Sequence, residues 1–234
     1  MPEVSFLQKG KGKDLLFLHG YLSSKEAFSA QIAYFSKFYR VTALDFPGFG
    51  ESAPLTAAFS VGDYAEWLKT ALVGLEVFKP HVVAHSFGCR VAVKAASGDS
   101  GLFDKIVLTG PAGVIIKRGL NYRARVGAYR LVKKFAPNFA EKRFGSAEYR
   151  SLSPLMKESY KKIVNEDLRG CAAKTVNAVR IVEGTEDKVT TLAEAKAYLA
   201  AFPNAELRMI EGGHFAFAEN PILFNLITEE FLYG

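Results

Sequence analysis

Four places in this 234-residue chain hold residues whose types and settings suit nucleophilic acyl chemistry. Ala84–His85–Ser86–Phe87–Gly88 stands between an apolar run and an apolar helical pattern. A serine there sits on a sharp strand-to-helix turn with its oxygen exposed, and small residues two places either side relieve the crowding. The following helix also turns its first N–H groups toward developing negative charge. A serine hydroxyl is a weak nucleophile and needs a neighbouring base that titrates near neutrality, which points to histidine. The chain has four: His19, His81, His85 and His214. His81 opens a strand, and His85, next to the serine on that strand, is expected to point away. His214, in Gly212–Gly213–His214–Phe215 after a late apolar run, is the expected base. A carboxylate must orient that imidazole and stabilise its charged form. Gly184–Thr185–Glu186–Asp187 supplies one, with Asp187 the better candidate and Glu186 the alternative. Finally, Leu18–His19–Gly20–Tyr21 ends an earlier apolar run. There the backbone N–H of Tyr21, with that of Phe87, is placed to stabilise an oxyanion. His19 is expected to shape the turn rather than to act as acid or base.

These residues need a frame that brings them together. Leu15–Leu18, Tyr39–Asp45, His81–His85, Ile106–Leu108, Val179–Val182 and Leu207–Ile210 read as buried strands. Helices are expected between them. Ser60 caps one whose Tyr64, Leu68, Leu72 and Leu75 recur at helical spacing. Others follow Ser86, run near Leu192–Ala201, and start at Pro221. Strands alternating with helices argue for an α/β fold, a mostly parallel central sheet covered on both faces. Such sheets bind ligands beyond the C-terminal ends of their strands, where all four chemical segments fall.

The alternation stops between residues 113 and 174. Two amphipathic helices are expected there, one carrying Tyr122, Val126, Tyr129 and Val132, the second starting at Ser153–Pro154 and continuing through Met156, Tyr160, Ile163 and Val164. The segment reads as a helical lid inserted into a core made of residues 1–112 and 175–234. Tyr122, Tyr129, Phe135 and Tyr160 are candidates to line its interior against substrate, although packing between lid and core accounts equally well for such aromatics.

Together these motifs resemble the α/β-hydrolase superfamily over nearly the whole chain, in the superfamily's order Ser, Asp, His. Asp45–Phe46–Pro47–Gly48–Phe49–Gly50–Glu51–Ser52 matches a loop of its smaller lidded members, which implies structural roles for Asp45 and Ser52. One departure is Ala84, where the pattern usually has glycine. The resemblance implies a carboxylesterase that works through an acyl-enzyme and needs no cofactor, and no metal-ligand spacing is present. A carbon–carbon bond hydrolase or an acyltransferase would use the same triad, and a ligand-binding protein could keep the fold without turnover.

Charge and composition bound the partners. The formal charge is +6, yet residues 113–174 hold 15 Lys/Arg against 5 Asp/Glu, a local net of +10. The basic lid suggests attraction of an anionic ester or of an anionic membrane surface, while a solvated face explains most of these side chains. No nucleic-acid motif accompanies the charge. Apolar runs are strand-sized, so no stable membrane insertion is expected. With Cys89 and Cys171 as the two cysteines and no signal-like start, a cytoplasmic setting is expected. Oligomeric state is not legible.

Overall fold

A computed structural model describes residues 4–116, 149 and 151–234. Its centre is a seven-stranded sheet. In chain order the strands are β1 (Phe6–Lys9), β2 (Asp14–Leu18), β3 (Arg40–Leu44), β4 (His81–His85), β5 (Ile106–Thr109), β6 (Val179–Gly184) and β7 (Ala205–Ile210). Their spatial order is β1-β3-β2-β4-β5-β6-β7. Only β1 runs antiparallel, against β3. The parallel registers, such as Leu18 beside Ala84, bring the ends of β2 and β4 level.

The central strands are apolar without alternation because both faces are covered. Leu16 and Leu18 of β2 point into one core with Leu44, Val82, Leu108 and Ile181. Leu15 and Phe17 point into the other, with Val41, Val83, Val107 and Val182. The first face is covered by α2 (Val61–Gly74), α3 (Phe87–Gly98) and α6 (Leu192–Ala201). The second is covered by α1 (Ser29–Phe35) and α8 (Pro221–Tyr233). Ser60 caps α2 reciprocally: Asp63 N–H donates to Ser60 Oγ at 3.2 Å, and Ser60 N–H donates to Asp63 Oδ2 at 2.7 Å.

Three elements outside the 113–174 segment were not anticipated from the sequence. β1 is exposed along its length and carries no apolar alternation to mark it. Helix α1 follows a single 3₁₀ turn, Lys25–Phe28, and buries Gln31, Ile32 and Phe35. A short helix, α7 (Ala216–Glu219), also precedes α8.

The 113–174 segment is described only toward its ends. Within it, α4 (Pro154–Val164) starts where expected, with Ser153 Oγ accepting from Met156 N–H at 3.2 Å and Pro154 in the first turn. The following α5 (Arg169–Ala172) hangs on Gly113, whose carbonyl accepts from Leu168 N–H at 2.8 Å. Met156 and Ile163 join the first core, and Ser159 Oγ donates to the Phe59 carbonyl at 2.7 Å. The expected first lid helix, with Tyr122, Tyr129 and Phe135, lies outside the described residues. No helix among the described residues is long and apolar enough to cross a membrane.

Candidate active site

Four loops meet at the C-terminal edge of the sheet. Ser86 occupies the turn between β4 and α3 at φ 49°, ψ −106°, a conformation that costs a non-glycine residue of order 1–3 kcal/mol. The turn holds because Ser86 N–H donates to the Thr109 carbonyl at 3.1 Å and α3 packs close against β2. Gly88 is required by that closeness: a Cβ there would run into the carbonyls of Leu18 and His19. Ala84, at the other flank, is fully buried in β4.

His214 arrives on the loop after β7. Its Nε2 lies 3.0 Å from Ser86 Oγ, and its Nδ1 lies 2.7 Å from Asp187 Oδ2. Because a carboxylate only accepts, the proton of the neutral imidazole sits on Nδ1 and Nε2 is left to accept from the serine. Asp187 is buried at the end of the β6 loop and takes further hydrogen bonds. Oδ1 accepts from the N–H groups of Val189 (2.7 Å) and Thr190 (2.9 Å), and Oδ2 accepts from Thr190 Oγ1 (2.8 Å). Burial alone would push the Asp187 carboxyl up. The hydrogen bonds from His214, Thr190 and Val189 outweigh it and hold the group below the usual carboxylate range. Glu186, the alternative acid, is exposed and has no such contact with His214. Gly110, at φ +51°, lets the chain pass His214 and Asp187, since a Cβ there would lie 3.1 Å from Nδ1.

The other histidines are accounted for. His19 is buried, donates from Nδ1 to the Gly20 carbonyl at 2.7 Å and accepts at Nε2 from Phe46 N–H at 3.1 Å. Burial lowers its pKa, so it stays neutral and shapes the turn. His81 stands at the foot of β4, away from the serine end. His85 makes no hydrogen bond to the Ser86 hydroxyl, yet it does not turn away from the base. Its ring lies 4.7 Å from the His214 ring, and its Nε2 donates to the His214 carbonyl at 2.9 Å. Burial, then the neighbouring His214, push its pKa down to about 3. It is a neutral buttress under His214 rather than a residue turned away from it, because the His214 loop folds back over the end of β4.

Asp45 and Ser52 tie the 45–52 loop together. Asp45 accepts from Lys25 N–H (2.7 Å), Lys25 Nζ (2.9 Å) and Glu51 N–H (3.0 Å), and Ser52 Oγ donates to the Asp45 carbonyl at 2.7 Å. Cys89 is buried, donates to the Ala84 carbonyl at 3.1 Å, and has its thiol pKa raised by burial. It is a core residue.

Ser86 and His214 open on a cavity of about 530 Å³. Gly20 and Tyr21 close it on one side and Phe87 on another, with Tyr160 and Ile163 of α4 above. The Tyr21 ring packs edge-on against Phe49, Phe87 and Tyr160, 4.9–5.6 Å between centroids. Of the four aromatic lining candidates, Tyr160 is here. Two residues at the site were missed: Thr190 beside Asp187 and His214, and Arg90 in the cavity wall. Thr190 had a signal, a hydroxyl three residues past an aspartate in a loop, and Arg90 had another, its place one helical turn after the serine. Among the described residues no cluster of His, Cys, Asp and Glu fits a metal ion.

The sheet order and the helices on its two faces are those of the α/β-hydrolase fold. Residues 15–225 match the alpha/beta hydrolase family, and the chain belongs to it. A relative from Acinetobacter baylyi, an (E)-2-((N-methylformamido)methylene)succinate hydrolase, is 35% identical over 86 residues. That match spans 37% of this chain and about a third (33%) of the relative's length. The meta-cleavage product hydrolase CumD from Pseudomonas fluorescens superposes with a TM-score of 0.76 at 24% identity, covering 98% of this chain and 94% of that one. An esterase from Exiguobacterium antarcticum gives a TM-score of 0.79 at 18% identity, covering 100% and 96%. At these identities both structures report the shared fold.

Proposed function

We propose that this protein is a serine hydrolase that cleaves a carboxylic ester through an acyl-enzyme. The reading is carried by one observation: Ser86 Oγ, His214 and Asp187 form a continuous relay with 3.0 and 2.7 Å links, and the serine end of that relay faces a largely apolar cavity. In this mechanism Ser86 Oγ attacks the ester carbonyl while His214 Nε2 takes its proton. The backbone N–H groups of Tyr21 and Phe87 stabilise the oxyanion. His214 returns the proton to the departing alkoxide, leaving the acyl group on Ser86. Water, deprotonated by the same nitrogen, then releases the acid and restores the serine. Asp187 keeps its negative charge throughout and stabilises the imidazolium. Residues 113–174 serve as the cap that bounds the substrate cavity.

The test is hydrolysis of p-nitrophenyl esters of graded chain length by wild type and Ser86→Ala. Wild-type turnover should fall by about a million-fold in the variant, with the circular dichroism spectrum unchanged. Turnover retained in Ser86→Ala would refute the assignment. A second reading, hydrolysis of a carbon–carbon bond in a diketone, is favoured by the likeness to CumD, whose name specifies meta-cleavage products. Products from an ester and from a vinylogous diketone acid, compared side by side, separate the two.

A further inference from the structure

Among the described residues that line the cavity, Arg90 alone carries a full formal charge at neutral pH. It stands in the first turn of α3 (Phe87–Gly98), four residues along the chain from Ser86, and the two residues line the same cavity. The residue is only 8% exposed. Its Nη1 donates to the carbonyls of Ile163 (2.8 Å) and Glu166 (2.9 Å), at and just beyond the C-terminal end of α4. No carboxylate among the described residues forms an ion pair with it. The nearby Glu166 carboxylate is engaged by Lys94 Nζ at 2.7 Å. Burial lowers the guanidinium pKa from its usual value, but an arginine stays charged in a protein.

This arrangement is incomplete as electrostatics. A buried cation is costly unless a full negative charge and satisfied hydrogen bonds offset it. Two carbonyls and the negative end of a helix dipole supply only partial charge. Among the described residues the bonds from Arg90 use Nη1 alone, which leaves Nε and Nη2, the flat edge of the fork that suits a carboxylate. Among the described residues the rest of the wall is apolar or uncharged, so Arg90 is the one of them that offers an acidic substrate group a full positive charge.

We propose that Arg90 is a specificity-determining residue and that the site takes esters whose acyl part ends in a second carboxylate, a few carbons from the reacting carbonyl. This rests on Ser86 being the nucleophile. Its carbonyl contacts also tie α4 to α3, so the pairing cation is held at a fixed distance from Ser86. The basic residues of the 113–174 segment would draw such an anion toward the cavity, and Arg90 would fix its orientation inside.

The experiment compares ethyl hydrogen succinate with ethyl succinamate, its neutral isostere, following product acids by chromatography. Wild type should favour the acid at least tenfold in kcat/KM, mostly through KM. Arg90→Gln should remove that preference by tenfold or more, Arg90→Lys should keep part of it, and Lys69→Gln, a lysine paired with Glu66 outside the cavity, should leave the ratio alone. Equal kcat/KM for the two esters in wild type, or a preference that survives Arg90→Gln, would overturn the proposal. Should Arg90→Gln fail to fold, calorimetric binding to wild type decides: succinate must bind at least tenfold tighter than succinamide, and equal binding refutes the proposal. The same binding measurement separates the two readings, because hydrolysis of neither ester with tight succinate binding counts against the serine ester chemistry and leaves the anion site standing.

Discussion

Asp187 and Glu183 are buried carboxylates four residues apart at the end of β6, and their surroundings are opposite. Asp187 accepts four hydrogen bonds, from Val189, Thr190 twice and His214, and is held ionised below the usual range. Glu183 is fully buried, and neither of its oxygens has a hydrogen-bond partner among the described residues. Burial first, then repulsion from Asp187 and Glu194, push its pKa up to about 8. The same chemical group is therefore a fixed anion at one position and a neutral acid at the other. What separates them is the loop. Asp187 sits where the chain turns and N–H groups converge, whereas Glu183 sits inside a strand whose N–H groups are spent on β5 and β7.

This contrast is breakable. The largest effect belongs to the paired carboxylate. Asp187→Asn should lower kcat by about a thousand- to ten-thousand-fold, because the amide no longer selects the Nδ1–H tautomer or stabilises the imidazolium. Steady-state assays against an unchanged thermal transition would establish that loss as chemical, and a drop of less than tenfold would remove Asp187 from the relay.

A smaller effect, on stability, belongs to the unpaired one. Between pH 4.5 and 8 the unfolded chain releases the Glu183 proton while the folded chain keeps it, so stability is lost as pH rises through that window. Below pH 4.5 both states are protonated and nothing is lost. Above about 8 both are ionised and the loss is complete. Glu183→Gln should therefore match wild type near pH 4.5 and exceed it by a growing margin, at most ~5 kcal/mol, above pH 8. Urea denaturation at pH 4.5, 7 and 9 reads this directly, and a gap that does not change with pH would contradict the protonation state given to Glu183.

The contrast also marks what the sequence revealed. That Ser86, Asp187 and His214 meet was legible because each sits where an apolar strand gives way to small residues, and because a serine nucleophile would demand a base and an acid. The central strands were legible as unbroken apolar runs. β1 was not, since Phe6–Lys9 pairs through its backbone and leaves its side chains to solvent. Glu183 was outside the strand anticipated over Val179–Val182. Burial at its position comes from α3, α6 and the sheet together, none of which leaves a local trace. Arg180 on the same strand is buried too, but it pairs with Glu206 and Glu230, 26 and 50 residues away. His85 was read as turned away from the base because strand alternation fixes its direction but not what folds back over it. Arg90 looked like one more helix cation until α4 covered it.

The central claim is that the relay makes Ser86 a nucleophile. Incubation with a fluorophosphonate, followed by peptide mass mapping, tests it most directly. One covalent adduct per chain on the peptide containing Ser86, absent in Ser86→Ala and much slowed in Asp187→Asn, is the predicted result. A folded wild-type protein that remains unlabelled, or one labelled at another residue, would contradict the account.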